Sequence, residues 1–242
     1  MKVAVCVHLY HIDMLDQIRN YLNNIRFEYD LYFSLTKNYP QSFLHNLKKT
    51  NPKTEIVFVK NIGMDIGGFL QVYKQMDKSY DLILKIHTKK GLGSDQVPSL
   101  HLRRHGLESA LYRGQKWFDG LMNGVLNSPD HVDAVIRTFQ ENPNCGMIAA
   151  KLNNNFEINR NHINQVFQLL NLSMSYEGKN FVGGTIFWVR NDIFKKHLTD
   201  DAIDKILELS PEGYVHEPSI NHAMERIFGY LVQFENQKLL VL

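Results

Sequence analysis

The segment Tyr80-Asp81-Leu82-Ile83-Leu84-Lys85-Ile86-His87-Thr88-Lys89-Lys90 decides how this chain folds. It follows directly on Phe69–Met76, which has the apolar spacing of an amphipathic helix. A strand entered from a crossover helix is expected in the centre of a parallel sheet, whereas a lysine-bearing edge strand is the alternative. Side chains alternate along a strand, so Lys85, His87 and Lys89 share one face.

The segments before this strand follow the same alternation of strand and helix. Apolar repeats at three and four residues predict helices at Met14–Leu22 and Ser42–Lys49. The predicted strands are Val3–Leu9, Asp30–Thr36, Glu55–Lys60 and Tyr80–Ile86. The chain therefore begins βαβαβαβ, the pattern of a mainly parallel sheet flanked by helices.

The second half continues the α/β pattern after an exposed loop at Lys89–Ser99. It contains a predicted buried strand at Gly146–Ala150 and an apolar run at Phe181–Arg190. Predicted helices are Trp117–Leu126, His131–Phe139, Ile163–Leu170, Asp192–His197, Asp201–Leu209 and Ser219–Val232. We predict a single α/β domain over residues 1–242, with a nucleotide-binding half at 1–100 and an acceptor-binding half at 101–242.

Composition excludes several classes of protein. The 242 residues are 44% hydrophobic and 21% charged, with 15 Gly, 7 Pro and 2 Cys, which rules out collagen, coiled coils and disulfide scaffolds. The net charge of +2 gives no broad basic field, so we expect no nucleic-acid partner. Two core-like cysteines, no signal peptide and no apolar run of about 20 residues predict a cytoplasmic protein with at most peripheral membrane contact.

Polar residues follow several strands where each strand ends. In open α/β sheets the ligand crevice lies at the carboxyl ends of the strands. The residues at these exits are His8 and Tyr10, Asn61 to Gly68, His87 to Lys90, and Gly183-Gly184-Thr185. Their convergence predicts a binding site at this edge of the sheet.

The segment from Asn61 to Phe69 places Gly63, Asp65, Gly67 and Gly68 between a strand and a helix. Glycines allow a tight turn or a close approach to a ligand, and helix-start amides bind anions. A plain turn capped by Asp65 is the alternative.

The segment His216–Arg226 begins as a loop and continues as a helix, with Pro218 expected in its first turn. Spacings of three and four residues place His222, Glu225 and Arg226 on one face, which is either a site or a solvated, salt-bridged surface. The pairs His8/His11 and His101/His105 belong to no zinc pattern, and neither a nucleophile elbow nor a phosphate-binding P-loop occurs.

Five ordered motifs carry a resemblance to a known family. They are Val7-His8-Leu9-Tyr10, Asn61 to Phe69, Tyr80 to Lys90, Phe181 to Arg190, and His222-Ala-Met-Glu-Arg226. Together they resemble the rhamnan synthesis protein F family of bacterial cell-surface polysaccharide glycosyltransferases. The resemblance implies a GT-A-like fold, a nucleotide-sugar donor, a glycan or lipid-linked glycan acceptor, and a place on the cytoplasmic face of the inner membrane beside other synthesis enzymes.

One departure from the GT-A pattern concerns metal binding. Where such enzymes carry an Asp-x-Asp motif, this strand ends in His87-Thr88-Lys89. Carboxylates would hold a divalent cation on the donor diphosphate, whereas His and Lys supply positive charge directly. We therefore expect metal-independent catalysis without a cofactor, and Asp65 or Asp95 are the carboxylates that would recruit an ion instead.

The resemblance also implies roles for single residues. Glu217 occupies the family's acidic position before the last helix motif, usually Asp, and is the expected base; Asp65 is the second candidate, and His87 acts on the leaving diphosphate. The residues expected at the donor are His8, Tyr10, Asn61, Gly63, Asp65, Gly67, Gly68, Lys85, His87, Lys89, Lys90 and Arg226. Those expected at the acceptor are Gly183, Gly184, Thr185, Trp188, Arg190, His222 and Glu225.

A second function remains open from the sequence. Some chains with transferase folds only bind or scaffold, so this chain could be a non-catalytic carbohydrate-binding or assembly subunit of a polysaccharide synthesis complex. The cationic strand end favours a diphosphate over a neutral glycan.

Overall fold

The computed structural model describes the backbone of residues 1–90 and 107–242, and the side chains of the second stretch from residue 115 onward. The described strands are β1 (Val3–His8), β2 (Asp30–Leu35), β3 (Thr54–Phe58), β4 (Leu82–His87), β5 (Cys145–Ala149), β6 (Leu152–Asn153), β7 (Phe181–Val182), β8 (Phe187–Arg190) and β9 (Lys238–Leu240). Seven of them form one sheet in the order β3-β2-β1-β4-β8-β5-β9, and β6 pairs with β7 in a separate ribbon.

The helices lie between these strands along the chain. The described helices are α1 (Leu15–Leu22), α2 (Gln41–Lys48), α3 (Met64–Gln75), α4 (Leu107–Leu126), α5 (Pro129–Glu141), α6 (Arg160–Leu169), α7 (Asn191–His197), α8 (Asp200–Leu209) and α9 (Ile220–Phe234). The prediction of an α/β fold with a mainly parallel central sheet is confirmed. Among the described residues, no helix is both long enough and apolar enough to cross a lipid bilayer.

The central place of β4 is also confirmed. It pairs in parallel with β1 on one side and antiparallel with β8 on the other. The remaining pairs β1/β2, β2/β3 and β5/β9 are parallel, and β5/β8 is antiparallel. Because β8 runs against its neighbours, its first residue lies beside the carboxyl end of β4 and its last residue lies at the opposite edge of the sheet.

Alternating side chains of the sheet fill two apolar cores, one on each face. Val5 and Leu84 face a core shared with α1, α4 and α5. Ala4 and Ile83 face a core shared with α3 and α9. Burial of each large aliphatic side chain contributes about 1.5–3 kcal/mol to folding, so the two cores hold the strands in a fixed register.

Two details differ from the predictions. The apolar run Phe181–Arg190 contains two short strands with a turn between them, in which Gly184 and Thr185 have positive φ angles of 85° and 53°. Pro218 is not in the first turn of α9, because Ser219 is the N-cap and its side chain accepts the amide hydrogen of His222. Asp95, His101 and His105, and the loop beyond Lys90, lie outside the described residues.

Candidate functional site

The polar exits of β1 and β4 lie side by side at the carboxyl edge of the sheet. The parallel register places His8 opposite His87 and Cys6 opposite Lys85. His8, Lys85 and His87 are buried despite their polarity. Buried polar side chains need hydrogen-bond partners. The partner of His8 is Ser34 on β2, and those of Lys85 and His87 come from the start of α3 and from the turn before β8.

The start of α3 is shaped by its glycines. Gly63 is the N-cap residue with a φ of 71°, and the amide of Gly67 donates to its carbonyl at 2.8 Å. A Cβ atom on Gly67 would lie 1.9 Å from the carbonyl oxygen of Ile62, and one on Gly68 would lie 2.2 Å from Nδ1 of His8. These positions are therefore glycine because backbone and the His8 ring occupy the space.

Asp65 lies in the first turn of α3 but binds side chains across the crevice. Its Oδ2 accepts a hydrogen bond from Nζ of Lys85 at 2.7 Å and another from the hydroxyl of Thr185. Nζ of Lys85 also donates to the carbonyl oxygen and Oγ1 of Thr185, both at 2.9 Å. Asp65, Lys85 and Thr185 thus form one connected network, which we call the Asp65–Lys85 network.

Electrostatics keeps this network ionised. Burial opposes ionisation of Asp65, but the charge of Lys85 and the hydrogen bonds from Lys85 and Thr185 outweigh burial and hold its pKa well below the usual range. Burial lowers the pKa of Lys85, and Asp65 opposes that shift. A buried ion pair of this kind is expensive to break because the remaining partner keeps its charge without compensation.

His87 lies next to the network as a neutral ring. Its Nε2 is 2.8 Å from the carbonyl oxygen of Gly184 and 3.7 Å from Oδ2 of Asp65. Burial lowers the pKa of His87, so the ring is uncharged at neutral pH and serves as a hydrogen-bonding group. Burial likewise lowers the pKa of His8 to about 4, and its Nδ1 lies 2.9 Å from Oγ of Ser34.

The turn before β8 connects the network to α9. The amide of Gly184 donates to Oε1 of Glu225, while its carbonyl faces His87. Thr185 is β-branched yet has a φ of 53°, a conformation that such residues rarely adopt. Backbone strain of this sort is held by surrounding contacts and is found most often at functional sites.

Arg226 organises the loop before α9. Only 1% of the residue is exposed to solvent. Its guanidinium donates to Oε1 of Glu217 at 3.0 Å and to the carbonyl oxygens of Asn155 at 2.9 Å and His222 at 2.7 Å. Nδ2 of Asn159 donates to the same Glu217 oxygen at 3.2 Å. The interpretation of this helix face as a solvated salt-bridged surface is therefore wrong for Arg226.

The residues after His87 lie at the mouth of the crevice. Thr88 accepts the backbone amides of Tyr10 and His11 at 3.1 and 3.0 Å. Nζ of Lys89 lies 4.0 Å from the ring centroid of Trp117, and Lys90 pairs with Asp13 at the surface. Among the described residues no ion pair joins Lys89 to a carboxylate.

The structure corrects two acceptor residues. Trp188 is fully buried and its indole N–H donates to the carbonyl oxygen of Val125 at 3.1 Å. It lies opposite Leu84 and shares the face of the sheet that packs against α4. Arg190 lies opposite Leu82, at the far edge of the sheet, where its Nε donates to the carbonyl oxygen of Cys145 at 2.7 Å. Neither side chain reaches the carboxyl edge.

The other predicted residues lie around the crevice. Asn61 and Gly63 pair through their backbones with Gly213 and Pro211, each at 2.9 Å, which brings the loop before α9 to the start of α3. A Cβ atom on Gly183 would lie 2.2 Å from Nδ2 of Asn153, so this glycine contacts the β6/β7 ribbon.

Sequence reasoning missed Ser34, Asn159 and Trp117. Ser34 and Asn159 are single polar residues whose partners lie far along the chain, and no local pattern marks them. The exposure of Trp117 could have been predicted from the helical period, because the other apolar residues in the described part of α4 share a different, buried face. Among the described residues, no group of three or more His, Cys, Asp or Glu side chains could hold a metal ion.

Comparison with known proteins identifies the family of the chain. The chain is 21% identical over 244 residues to an uncharacterized protein, WxcX, of Xanthomonas campestris pv. campestris, in each of two strains. The alignment covers 98% of this chain and 32% of the relative, so the chain spans about a third of the length of the curated relatives it matches. The model of the family described as rhamnan synthesis protein F matches residues 1–237, and the chain therefore belongs to the rhamnan synthesis protein F family.

Proposed function

We propose that this chain is a glycosyltransferase that moves a sugar from a nucleotide-diphosphate donor to a growing cell-surface polysaccharide. The donor would bind at the carboxyl edge of the sheet, as in GT-A-like enzymes. The observation that carries the proposal is the Asp65–Lys85 network beside His87 at the carboxyl edge of β1 and β4. Ligands of open α/β sheets bind at this edge. Membership of a rhamnan synthesis family supplies the chemical context.

The charges around the crevice suggest how a diphosphate would be bound. Lys85 and Arg226 already have carboxylate partners in Asp65 and Glu217. Lys89 projects from the end of β4, and its positive charge lowers the pKa of His87 in addition to the effect of burial. We assign Lys89 to the leaving diphosphate, and the first turn of α3 to the donor through its amides.

The remaining donor and acceptor residues follow from their positions. His8, Tyr10 and Asn61 would line the nucleotide and sugar pocket. Gly184, Thr185, His222 and Glu225 would face the acceptor glycan or lipid-linked glycan. Peripheral contact with the inner membrane is part of this proposal, because lipid-linked acceptors are held there.

Metal independence is also part of the proposal. A lysine at the end of β4 stabilises negative charge on the leaving group without a divalent ion, and loss of one such charged donor commonly costs about 2.7–4 kcal/mol of barrier lowering. The Asp65 carboxylate is occupied by Lys85 and Thr185.

A thermal-shift panel tests the proposal without knowledge of the acceptor. UDP, dTDP, GDP and CMP are each added with EDTA or with manganese, since a ligand that binds only the folded state raises the melting temperature. We expect one nucleotide to stabilise the protein in EDTA. Stabilisation only with manganese would contradict metal independence and leave the transferase proposal standing.

A non-catalytic carbohydrate-binding subunit is the second candidate function. The pairing of Lys85 and Arg226 with carboxylates favours it, because a crevice with compensated charges suits a neutral glycan. Binding of glycan with no response to any nucleotide would select this alternative.

A further inference from the structure

Sugar transfer needs a group that accepts the proton of the attacking hydroxyl. We propose that Glu225 is this proton acceptor, an inference that rests on the transferase function proposed above. Neither of the two carboxylates that the sequence suggested for the role, Glu217 and Asp65, is suitably placed in the structure, and Glu225 has the required environment.

Glu217 and Asp65 are both neutralised by cations. The Oε1 atom of Glu217 accepts from Arg226 at 3.0 Å and from Asn159 at 3.2 Å. The Oδ2 atom of Asp65 accepts from Lys85 and Thr185. Asp65 is a weak base, because its protonation would leave the buried Lys85 charge unpaired.

Glu225 has one oxygen in a hydrogen bond and the other in a longer ion pair with Arg226. Its Oε1 accepts the amide hydrogen of Gly184, so the carboxyl is oriented by the same residue that bonds His87. Among the contacts of the described residues, Oε2 makes no hydrogen bond and lies 3.7 Å from Nη1 of Arg226. The side chain is 17% exposed, so part of it is in contact with solvent.

The surroundings of Glu225 also suit a base. Burial raises its pKa, while the Gly184 amide and Arg226 oppose that shift. A carboxyl with a raised pKa is a stronger base. The charged groups that act on it are Asp65 on α3, Lys85 on β4, Lys89 just after β4, and Arg226 on α9. His222 lies three residues earlier on α9, and His87 bonds the carbonyl of the same Gly184.

The proposed step balances as follows. The acceptor O–H bond breaks and its proton passes to Oε2 of Glu225, while the acceptor oxygen forms a bond to the anomeric carbon of the donor sugar. The bond from that carbon to the diphosphate oxygen breaks, and its electron pair leaves with the nucleoside diphosphate. Glu225 then returns the proton to water.

Turnover of conservative variants tests the assignment. The substrate is the nucleotide sugar whose nucleotide gives the largest thermal shift in EDTA, and release of the nucleoside diphosphate is measured. We expect Glu225→Gln to lower kcat at least 100-fold with the donor KM and the thermal shift unchanged, because the amide keeps the bond to Gly184 but takes no proton. Glu225→Asp should retain part of the activity with a displaced acidic limb in its pH profile.

The comparison variant is Glu217→Gln, and far-ultraviolet circular dichroism checks that each variant is folded. Glu225→Gln with kcat within threefold of the parent protein overturns the assignment, as does a larger loss in Glu217→Gln than in Glu225→Gln. In either case nucleotide binding still supports the transferase function. If no nucleotide raises the melting temperature, the transferase function and the role of Glu225 both fail.

Discussion

At the scale of single residues, the folded state depends on the buried ion pair of Lys85 and Asp65. Replacing Asp65 by Asn leaves the Lys85 charge uncompensated, so we expect a loss of about 3–5 kcal/mol in the free energy of unfolding. The double variant Asp65→Asn with Lys85→Met no longer buries an unpaired charge, so it should recover part of this loss relative to Asp65→Asn alone. Urea denaturation of the single and double variants measures the difference, and strictly additive losses would contradict the pairing.

Glu225 makes stability depend on pH. Its folded pKa is raised above the ordinary value of 4.5, so the folded state holds the proton over a range where the unfolded chain has released it. Stability therefore falls as pH rises through that range. We expect Glu225→Gln to escape this loss, so that the melting temperature of the variant gains on that of the parent protein as the pH rises above about 4.5. Parallel curves for the two proteins would show that Glu225 has no raised pKa.

Residue patterns in the sequence predicted which side chains share a face but not what they bind. The alternation in β4 correctly placed Lys85 and His87 together. Nothing local indicates that Lys85 is neutralised by Asp65, because that partner lies 20 residues earlier on a helix. Trp188 was misassigned for a related reason, since membership of a motif does not say which face of a strand a side chain occupies.

At the scale of elements, α4 contains a matched pair of glycines. A Cβ atom on Gly124 would lie 2.1 Å from Cβ of Ala150, whereas one on Gly120 would meet nothing within 4 Å. We expect Gly120→Ala to stabilise the protein by about 0.5–1 kcal/mol through helix propensity. Gly124→Ala should instead destabilise it by about 1–3 kcal/mol through overpacking. Chemical denaturation gives both values, and a stabilising Gly124→Ala would contradict the packing of α4 against the end of β5.

Strands and helices could be predicted where the hydrophobic period is strong. The prediction failed where the position of a residue depends on whether its strand is parallel or antiparallel. All four strands of the first half and their helices were found from apolar spacing. The misplacement of Arg190 arises because β8 is antiparallel, so its last residue points away from the site. No local pattern distinguishes a parallel strand from an antiparallel one when both are buried.

At the scale of the whole molecule, the two tryptophans have opposite environments. Trp117 is 46% exposed at the mouth of the crevice and Trp188 is fully buried. Acrylamide should therefore quench mainly the Trp117 emission. We expect Trp117→Phe to shift the remaining emission to shorter wavelength and to lower the quenching constant several-fold. An unchanged quenching constant would mean that Trp188 is accessible and that the core beneath β8 is open.

The assembly of the site from distant segments is the part that the sequence left unpredicted. The backbone pairing of residues 61–63 with residues 211–213 brings two loops together that are about 150 residues apart in the chain. This contact places the start of α9 beside the start of α3. Local patterns cannot show such a contact, because it depends on the order of strands in the sheet.

The central claim, a diphosphate site at the carboxyl edge of β4, is tested most directly by calorimetric titration. The nucleoside diphosphate selected by the thermal-shift panel is titrated in EDTA into the variants Lys89→Gln and Lys90→Gln. The two lysines are neighbours, but Lys90 pairs with Asp13 at the surface while Lys89 lies over Trp117 at the crevice. Loss of one charged contact to a phosphate is worth about 1.5–3 kcal/mol, so the Kd should rise at least tenfold in Lys89→Gln and stay unchanged in Lys90→Gln. Equal affinities in the two variants would contradict a diphosphate site at the carboxyl edge of β4.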